Sequence, residues 1–113
     1  METRVDQSKW DELAKKLCER YEGTEVAVTI LDPEMGEHHE IDPEPLIEIA
    51  TEHVEGIDRF DLTMGTLDHP FTHAVPWTRD VWLDSAEDGS EEIVPIVGEN
   101  GITTVVRCCR EVR

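Results

Sequence analysis

Apolar residues near the start of the chain recur every three or four positions, which is the period of an amphipathic α-helix. The members of this stripe are Trp10, Leu13, Ala14, Leu17, Cys18 and Tyr21. Gly23 follows and favours the end of a helix, because glycine readily takes the left-handed conformation found there. We therefore expect an N-terminal helix of about three turns whose apolar side packs on a core.

The pattern then changes from a helical period to alternation. Residues 25–31 are rich in β-branched side chains and predict a well-buried strand. A turn over residues 32–36 leads into a short returning strand. We expect this strand to end at Ile41, because Pro43 and Pro45 cannot donate backbone hydrogen bonds to a sheet.

Residues 46–56 fit two structures. One helical face would contain Leu46, Ile49, Ala50, His53 and Val54. Pro45 suits a helix start and Gly56 a helix end, although Ile47 and Ile49 would equally alternate in a strand. The helical spacing favours a short helix here.

The rest of the chain, from Arg59 onward, alternates with a period of two. The alternating segments are 60–64, 71–75, 81–83, 93–97 and 102–109. Asp88-Gly89 and Asn100-Gly101 are typical of type I′ hairpin turns, and Pro95 indicates an edge strand or a bulge. We predict a single α+β domain over residues 1–113. Its N-terminal helix packs on a mostly antiparallel sheet of about six strands that ends in a β-meander, with one sheet face covered and the other partly solvated.

The charge of the chain indicates the environment in which the protein works. The formal net charge is −17, with 27 Asp and Glu against 10 Lys and Arg. Acidic residues occur in every segment and lysine is scarce, a composition that resembles proteins of halophilic archaea and predicts adaptation to high intracellular salt. A mimic of nucleic acid would instead concentrate its carboxylates on one face, and a calcium loop would space its oxygen ligands regularly. The sequence shows neither pattern.

Further features bear on the location of the protein. The first residues lack the apolar stretch of a signal peptide, and no apolar run approaches the ~20 residues of a membrane helix. Cys18 is isolated, while Cys108 and Cys109 are adjacent and must point to opposite faces of a strand, which favours free thiols. No basic stripe is present to bind nucleic-acid phosphates. We expect a cytoplasmic protein with no membrane segment and no direct nucleic-acid binding.

Histidines are the residues best able to carry chemistry. His69 and His73 have the H-x-x-x-H spacing of helical metal sites, but Pro70 and the alternating pattern place His69 in a turn and His73 on a strand. The candidate ligand-binding residues are Asp61, Asp68, His69, Thr72 and His73. A cross-strand hydrogen-bonding pair is the structural alternative for Thr72-His73. Nucleophile and phosphate-loop motifs are missing, so we predict no catalytic residue, no metal ligand set and no cofactor.

Tryptophans offer a second kind of site. Trp77 and Trp82 flank a turn, and either residue could pack in the core, anchor an interface or carry a ligand. If Val81 and Leu83 face inward, Trp82 points outward. An outward tryptophan predicts a self-association site, and we expect a homodimer or a protein partner here.

The order of short motifs also resembles a known family. The motifs are Thr3-Arg4, Trp10, Tyr21-Glu22-Gly23, Leu31-Asp32-Pro33, Gly36, Pro45-Leu46, Asp58-Arg59, Thr72-His73, Val81 to Leu83, Gly89 and Asn100-Gly101. They resemble a small family of bacterial and archaeal proteins described as a domain of unknown function. The resemblance covers nearly the whole chain and implies a shared fold without an established activity.

These observations favour a non-enzymatic interaction module that binds itself or a protein partner through an edge strand or the tryptophan region. The alternative is a small-ligand or metal-dependent activity around His69 and His73, with Asp61 or Asp68 nearby. A pocket with a shifted histidine pKa would favour the alternative. A flat patch that contains a tryptophan would favour association.

Overall fold

The computed structural model describes residues 2–109 and places one α-helix against one antiparallel sheet. The elements are β1 (Glu2–Val5), a 3-10 turn (Gln7–Lys9), α1 (Trp10–Tyr21), β2 (Glu25–Asp32), β3 (Glu37–Val54), β4 (Ile57–Gly65), β5 (Pro70–Val75), β6 (Thr78–Ser85), β7 (Glu91–Gly98) and β8 (Thr103–Cys109). The predicted α+β fold is confirmed, but these residues form eight strands rather than about six. Strand β1 has no alternating apolar pattern and exists because its backbone pairs with β6.

The strands lie in the order β1-β6-β7-β8-β2-β3-β4-β5, and each neighbouring pair is antiparallel. The sheet curls, because β4 approaches β6 and β5 approaches β7 although neither pair is adjacent in this order. The predicted C-terminal meander is confirmed, with hairpins joining β6, β7 and β8. The edge strand or bulge predicted from Pro95 is wrong, because Pro95 lies in the central strand β7 opposite Val105 with no register shift there. The curl gives the sheet a concave inner face and a convex outer face.

Helix α1 covers the inner face. Its predicted apolar stripe is buried, with Cys18 half-buried at one side. The Trp10 ring meets the Phe60 ring of β4 edge-on, with centroids 5.7 Å apart. Burying a large apolar side chain contributes about 1.5–3 kcal/mol, so this shared core fixes the helix on the sheet. In the described part of the chain, no helix has the length and apolar character needed to cross a membrane.

The short helix predicted for residues 46–56 is wrong, because β3 runs through Val54 and pairs with β4. The pairing register shifts between Leu46 and Glu48, which is a β-bulge. This bulge lets Leu46 and Ile49, three positions apart, both lie buried on the inner face. A bulged strand therefore reproduces the spacing of a helix.

The expected end of this strand at Ile41 is also wrong. The β2–β3 register shifts where Val26 faces Glu44 and Val28 faces Ile41, so Pro43 lies within a second irregularity. An irregular site tolerates a residue without a backbone N–H, because regular ladder hydrogen bonds are already interrupted there. The strand consequently continues past both prolines.

Candidate functional site

The five predicted ligand-binding residues lie in different surroundings. Asp61 on β4 accepts from Arg59, with Nε and Oδ1 3.0 Å apart. Asp68 and His69 lie in the bend before β5, and the His69 N–H donates to Thr66 Oγ1 at 3.1 Å. His69 and His73 are separated by about 13 Å of extended chain. Among the described residues, no three or more His, Cys, Asp and Glu side chains are grouped so that they could hold a metal ion.

Thr72 and His73 point in opposite directions from β5. Thr72 is exposed, and its hydroxyl lies 2.9 Å from that of Thr63 across the strand pair. His73 is half-buried and points inward, with Nε2 3.1 Å from Thr104 Oγ1 on β8. Burial lowers the pKa of His73 below its ordinary value, because a charged imidazolium is poorly solvated there. The structure therefore separates these two adjacent candidates, and the uncharged form of His73 is favoured.

A pocket of about 250 Å³ opens beside His73 at one end of the curled sheet. Its walls come from β2, β5, β8 and the connections near them: Ile30, Ala74, Val75, Pro76, Gly98, Asn100, Ile102 and Thr104 line it with His73. Asn100 Oδ1 accepts the Ile102 N–H at 3.1 Å, which orients the amide. The pocket is thus mostly apolar and contains a few polar groups, the usual character of a small-molecule site.

Trp77 lies in the connection between β5 and β6, at the same end of the sheet. The side chain is 54% exposed, and the backbone has a positive φ of 48°. Its carbonyl accepts the Glu99 N–H at 2.9 Å. A second cavity of about 360 Å³, lined by Pro76, Trp77, Glu99 and Asn100, shares Pro76 and Asn100 with the His73 pocket. Trp77 is therefore a neighbour of the His73 pocket.

Trp82 lies about 16 Å of extended chain away from Trp77, on the convex face of the sheet. Its predicted outward direction is confirmed, because Val81 is fully buried and Trp82 is partly exposed. Strand pairing continues its row through Pro95, Val105 and Thr29. Nine neighbouring uncharged residues form what we call the outer patch: Ala27, Thr29, Leu31, Trp82, Ile93, Pro95, Val97, Thr103 and Val105.

Charged side chains border the outer patch and include two ion pairs, while the exposed Glu40 faces Thr29 across the β2–β3 strand pair. Arg4 Nη2 and Asp80 Oδ1 are 2.7 Å apart, and Arg107 Nε and Glu91 Oε1 are 2.8 Å apart. Hydrogen bonds from Arg4, and then from Arg79, lower the pKa of Asp80. Because 33% of the chain is charged, nine adjacent uncharged positions differ from the average composition of the protein. Leu31 is exposed and the other eight are partly exposed, which is the main argument for an interaction surface.

The sequence did not point to a further group of polar residues, around His53 and Asp58. His53 Nδ1 lies 2.5 Å from Asp58 Oδ1, in an open cleft of about 500 Å³ between the start of α1 and the β3–β4 hairpin. Gln7 also donates to Asp58, and Thr51 donates to Asp11. These bonds tie the helix start to the hairpin. His53 and Asp58 flank the Glu55-Gly56 turn. A helix over residues 46–56 would not pair these two side chains across a hairpin, so the helical interpretation did not predict their hydrogen bond.

Acidity limits what this cleft can do. Asp6, Asp11, Glu52 and Asp58 line it, and Arg59 is paired with Glu52. The Ser8 hydroxyl and backbone N–H donate to Asp6 and lower its pKa, so that this carboxylate stays ionised. An anionic substrate would be repelled. The hydrogen bonds of Asp11, Glu52 and Asp58 instead join neighbouring elements, and those of Asp6 cap the 3-10 turn. We therefore assign the group a structural role.

Comparison of the chain with family models, with curated proteins and with solved structures found no match. The resemblance to a domain of unknown function stays a prediction, and function has to be argued from the outer patch and the His73 pocket.

Proposed function

We propose that this protein is a non-enzymatic self-association module that works in a cytoplasm of high salt, and that the outer patch of one copy pairs with the outer patch of a second. The observation that carries the proposal is the uncharged, partly exposed block around Trp82 on a chain of net charge −17. Interface cores are depleted in charge and enriched in tryptophan. The outer patch has both properties.

A second copy is the occupant that the charge favours. A basic partner would be attracted by carboxylates, and the outer patch contains none. The outer patch of a second copy supplies apolar surface for Trp82 and Val105 to pack against. In a two-fold symmetric dimer, the same patch of each copy forms the interface. The paired border charges, Arg4 with Asp80 and Arg107 with Glu91, reduce the repulsion at the edge.

The size of the outer patch predicts the strength of the dimer. Four strands about 4.8 Å apart and three rows of side chains give about 400 Å², or about 600 Å² with the border. Stable complexes usually bury about 800 Å² on each partner. The dimer should therefore be weak, and it should require salt to screen the charge of the two chains.

Sedimentation velocity tests this proposal. In about 3 M KCl the wild-type chain should dimerise, while in about 0.2 M KCl the monomer should predominate. Trp82→Ala should weaken the dimer by about 30-fold, as expected for the loss of a central tryptophan. Trp77→Ala is the matched control, because it removes another exposed tryptophan outside the outer patch and should leave the dimer intact.

Two outcomes would overturn self-association. One is a wild-type chain that stays monomeric at high salt and about 1 mM protein. The other is equal weakening by both tryptophan variants, since that would place the contact elsewhere. Thermal unfolding of each variant verifies that a change in association does not come from loss of the fold.

A further inference from the structure

Trp77 has a conformation and an exposure that core packing does not explain. A bulky residue at φ 48° is in the left-handed region, which is unfavourable for side chains with a Cβ atom. The ring is also 54% exposed. Strained residues of this kind concentrate at ligand sites, where the surrounding structure holds them in place. Here the surrounding structure includes the hydrogen bond from the Glu99 N–H to the Trp77 carbonyl.

The His73 pocket and the Trp77 cavity form adjoining spaces. They share Pro76 and Asn100, and their volumes are about 250 and 360 Å³. Gly98 leaves room for the Asn100 side chain, because a Cβ at this position would lie 3.1 Å from Asn100 Oδ1. A planar molecule could lie with one edge in the pocket and one face against the indole.

The polar groups restrict the ligand. His73 and Thr104 bond to each other within the pocket, and Asn100 uses its oxygen for Ile102, which leaves its NH₂ as a donor. The free NH₂ of Asn100 matches a ring edge that carries a hydrogen-bond acceptor.

Charge restricts the ligand further. Among residues 2–109, no Asp, Glu, Lys or Arg side chain lines the His73 pocket, and Glu99 lines the adjoining cavity. A cation would find no carboxylate in the His73 pocket. An anion would meet an uncharged imidazole and the Glu99 carboxylate.

We infer that the His73 pocket binds an uncharged heteroaromatic molecule about the size of a nucleobase, with its polar edge against His73, Thr104 and Asn100 and its ring face on Trp77. This site is independent of the outer patch. It does not need His69, Asp61 or Asp68.

NMR titration of the ¹⁵N-labelled protein in about 0.2 M KCl, where charge is only partly screened, tests the site, with adenine, nicotinamide and indazole as uncharged probes and adenosine monophosphate as an anionic one. At least one uncharged probe should shift the Trp77 indole and His73 signals, and the anionic probe should bind more weakly than adenine. Failure of all three uncharged probes to shift these signals at about 5 mM would overturn the inference. Binding of adenosine monophosphate that is as tight as that of adenine, or tighter, would also overturn the inference.

Two substitutions separate a binding role from a structural one. Trp77→Gly relieves the left-handed backbone, so the variant should unfold at the same or a higher temperature while its affinity falls by about tenfold or more. Thr104→Val keeps the buried shape, removes the hydroxyl and should also reduce affinity. A Trp77→Gly variant that binds normally would contradict the inference.

Trp82→Ala is the matched control and should bind the probes as the wild-type chain does. Conversely, Trp77→Gly should leave the dimer unchanged. Loss of self-association and loss of ligand binding are therefore distinguishable.

Discussion

Glu92 is an acidic residue with 3% exposure in a chain whose carboxylates are mostly solvated. Its Oε1 lies 2.7 Å from Arg20 Nη1 and accepts the Tyr21 hydroxyl, also at 2.7 Å. Burial, and then the bond to Glu92, raise the pKa of Tyr21, which keeps the phenol protonated as a donor. These contacts fix the last turn of α1 to β7.

Removing the Arg20 guanidinium should destabilise the protein, because Glu92 would then be a buried carboxylate without a cation. Arg20→Met leaves Glu92 buried beside Tyr21 alone, and we expect a loss of about 3 kcal/mol in the free energy of unfolding. Urea denaturation of the single variants and of Arg20→Met/Glu92→Met measures the coupling between the two side chains. The double variant should recover part of the loss. Lys9→Met, which breaks an exposed pair with Glu12, is the control and should cost less than about 0.5 kcal/mol. A loss from Lys9→Met equal to that from Arg20→Met would contradict the buried-pair explanation.

The alternation of apolar residues along β7 contains enough information to predict that Glu92 is buried. Glu92, Val94 and Ile96 have the same parity, so the apolar residues already predicted an inward position for the carboxylate. Its partners could not be predicted, because Arg20 is 72 positions away and no local pattern relates the two. The pairs His73 with Thr104 and Gln7 with Asp58 also depend on the curl of the sheet and the docking of α1.

At the scale of elements, hydrophobic periods and turn residues predicted α1 and most of the strands. The hairpins at Asp88-Gly89 and Asn100-Gly101 form, but the predicted type I′ turns are wrong. Their loops span residues 86–90 and 99–102, and neither Asp88 nor Asn100 has the positive φ that a type I′ turn requires. Strand β1 and the second half of β3 were not predicted. The first is specified by its partner β6, and the second contains a bulge in which Ile49 N–H donates to Cys18 Sγ at 3.0 Å.

Gly65 controls the connection from β4 to β5. Its φ is 107°, and a Cβ there would lie 2.6 Å from the His69 carbonyl oxygen. Gly65→Ala should therefore cost about 3 kcal/mol, because backbone strain and a backbone clash add. Gly36→Ala is the control, since that turn has a φ of 64° and no atom within 4 Å of the added methyl group, and it should cost about 1 kcal/mol. Urea denaturation measures both, and equal losses would contradict the close approach at Gly65.

At the scale of the whole molecule, the negative charge and the apolar core act independently. The core contains the same kinds of side chains as an ordinary α+β protein, from Trp10 on α1 to Cys108 on β8, where burial raises the pKa of the thiol to about 12. The carboxylates lie largely on the exposed parts of strands and turns. Repulsion among them opposes folding in dilute buffer, and salt screens that repulsion.

Thermal unfolding in increasing KCl measures this effect. From about 0.1 M to about 3 M, the unfolding temperature should rise by about 10 °C, which corresponds to about 2 kcal/mol. At a protein concentration too low for dimerisation, Trp82→Ala should show the same rise as the wild-type chain, because screening within one chain does not require the dimer. Sucrose at matched osmolality is the control and should give a smaller increase. A protein that is equally stable without salt would contradict the halophilic interpretation.

The strand order also has a consequence for synthesis on the ribosome. Strand β2 can pair with β3 as soon as both have emerged. Its other edge stays unpaired until β8 is made, and β8 is the last of the eight strands in chain order. Strand β1 likewise waits for β6. During translation, the β2–β3 hairpin therefore has an open edge beside apolar side chains, where a neighbouring nascent chain could add a strand. In dilute buffer, mutual repulsion between acidic nascent chains opposes that addition, but molar salt screens this repulsion as it screens the repulsion within the finished fold. The salt that stabilises the finished fold therefore removes a protection from the unfinished one.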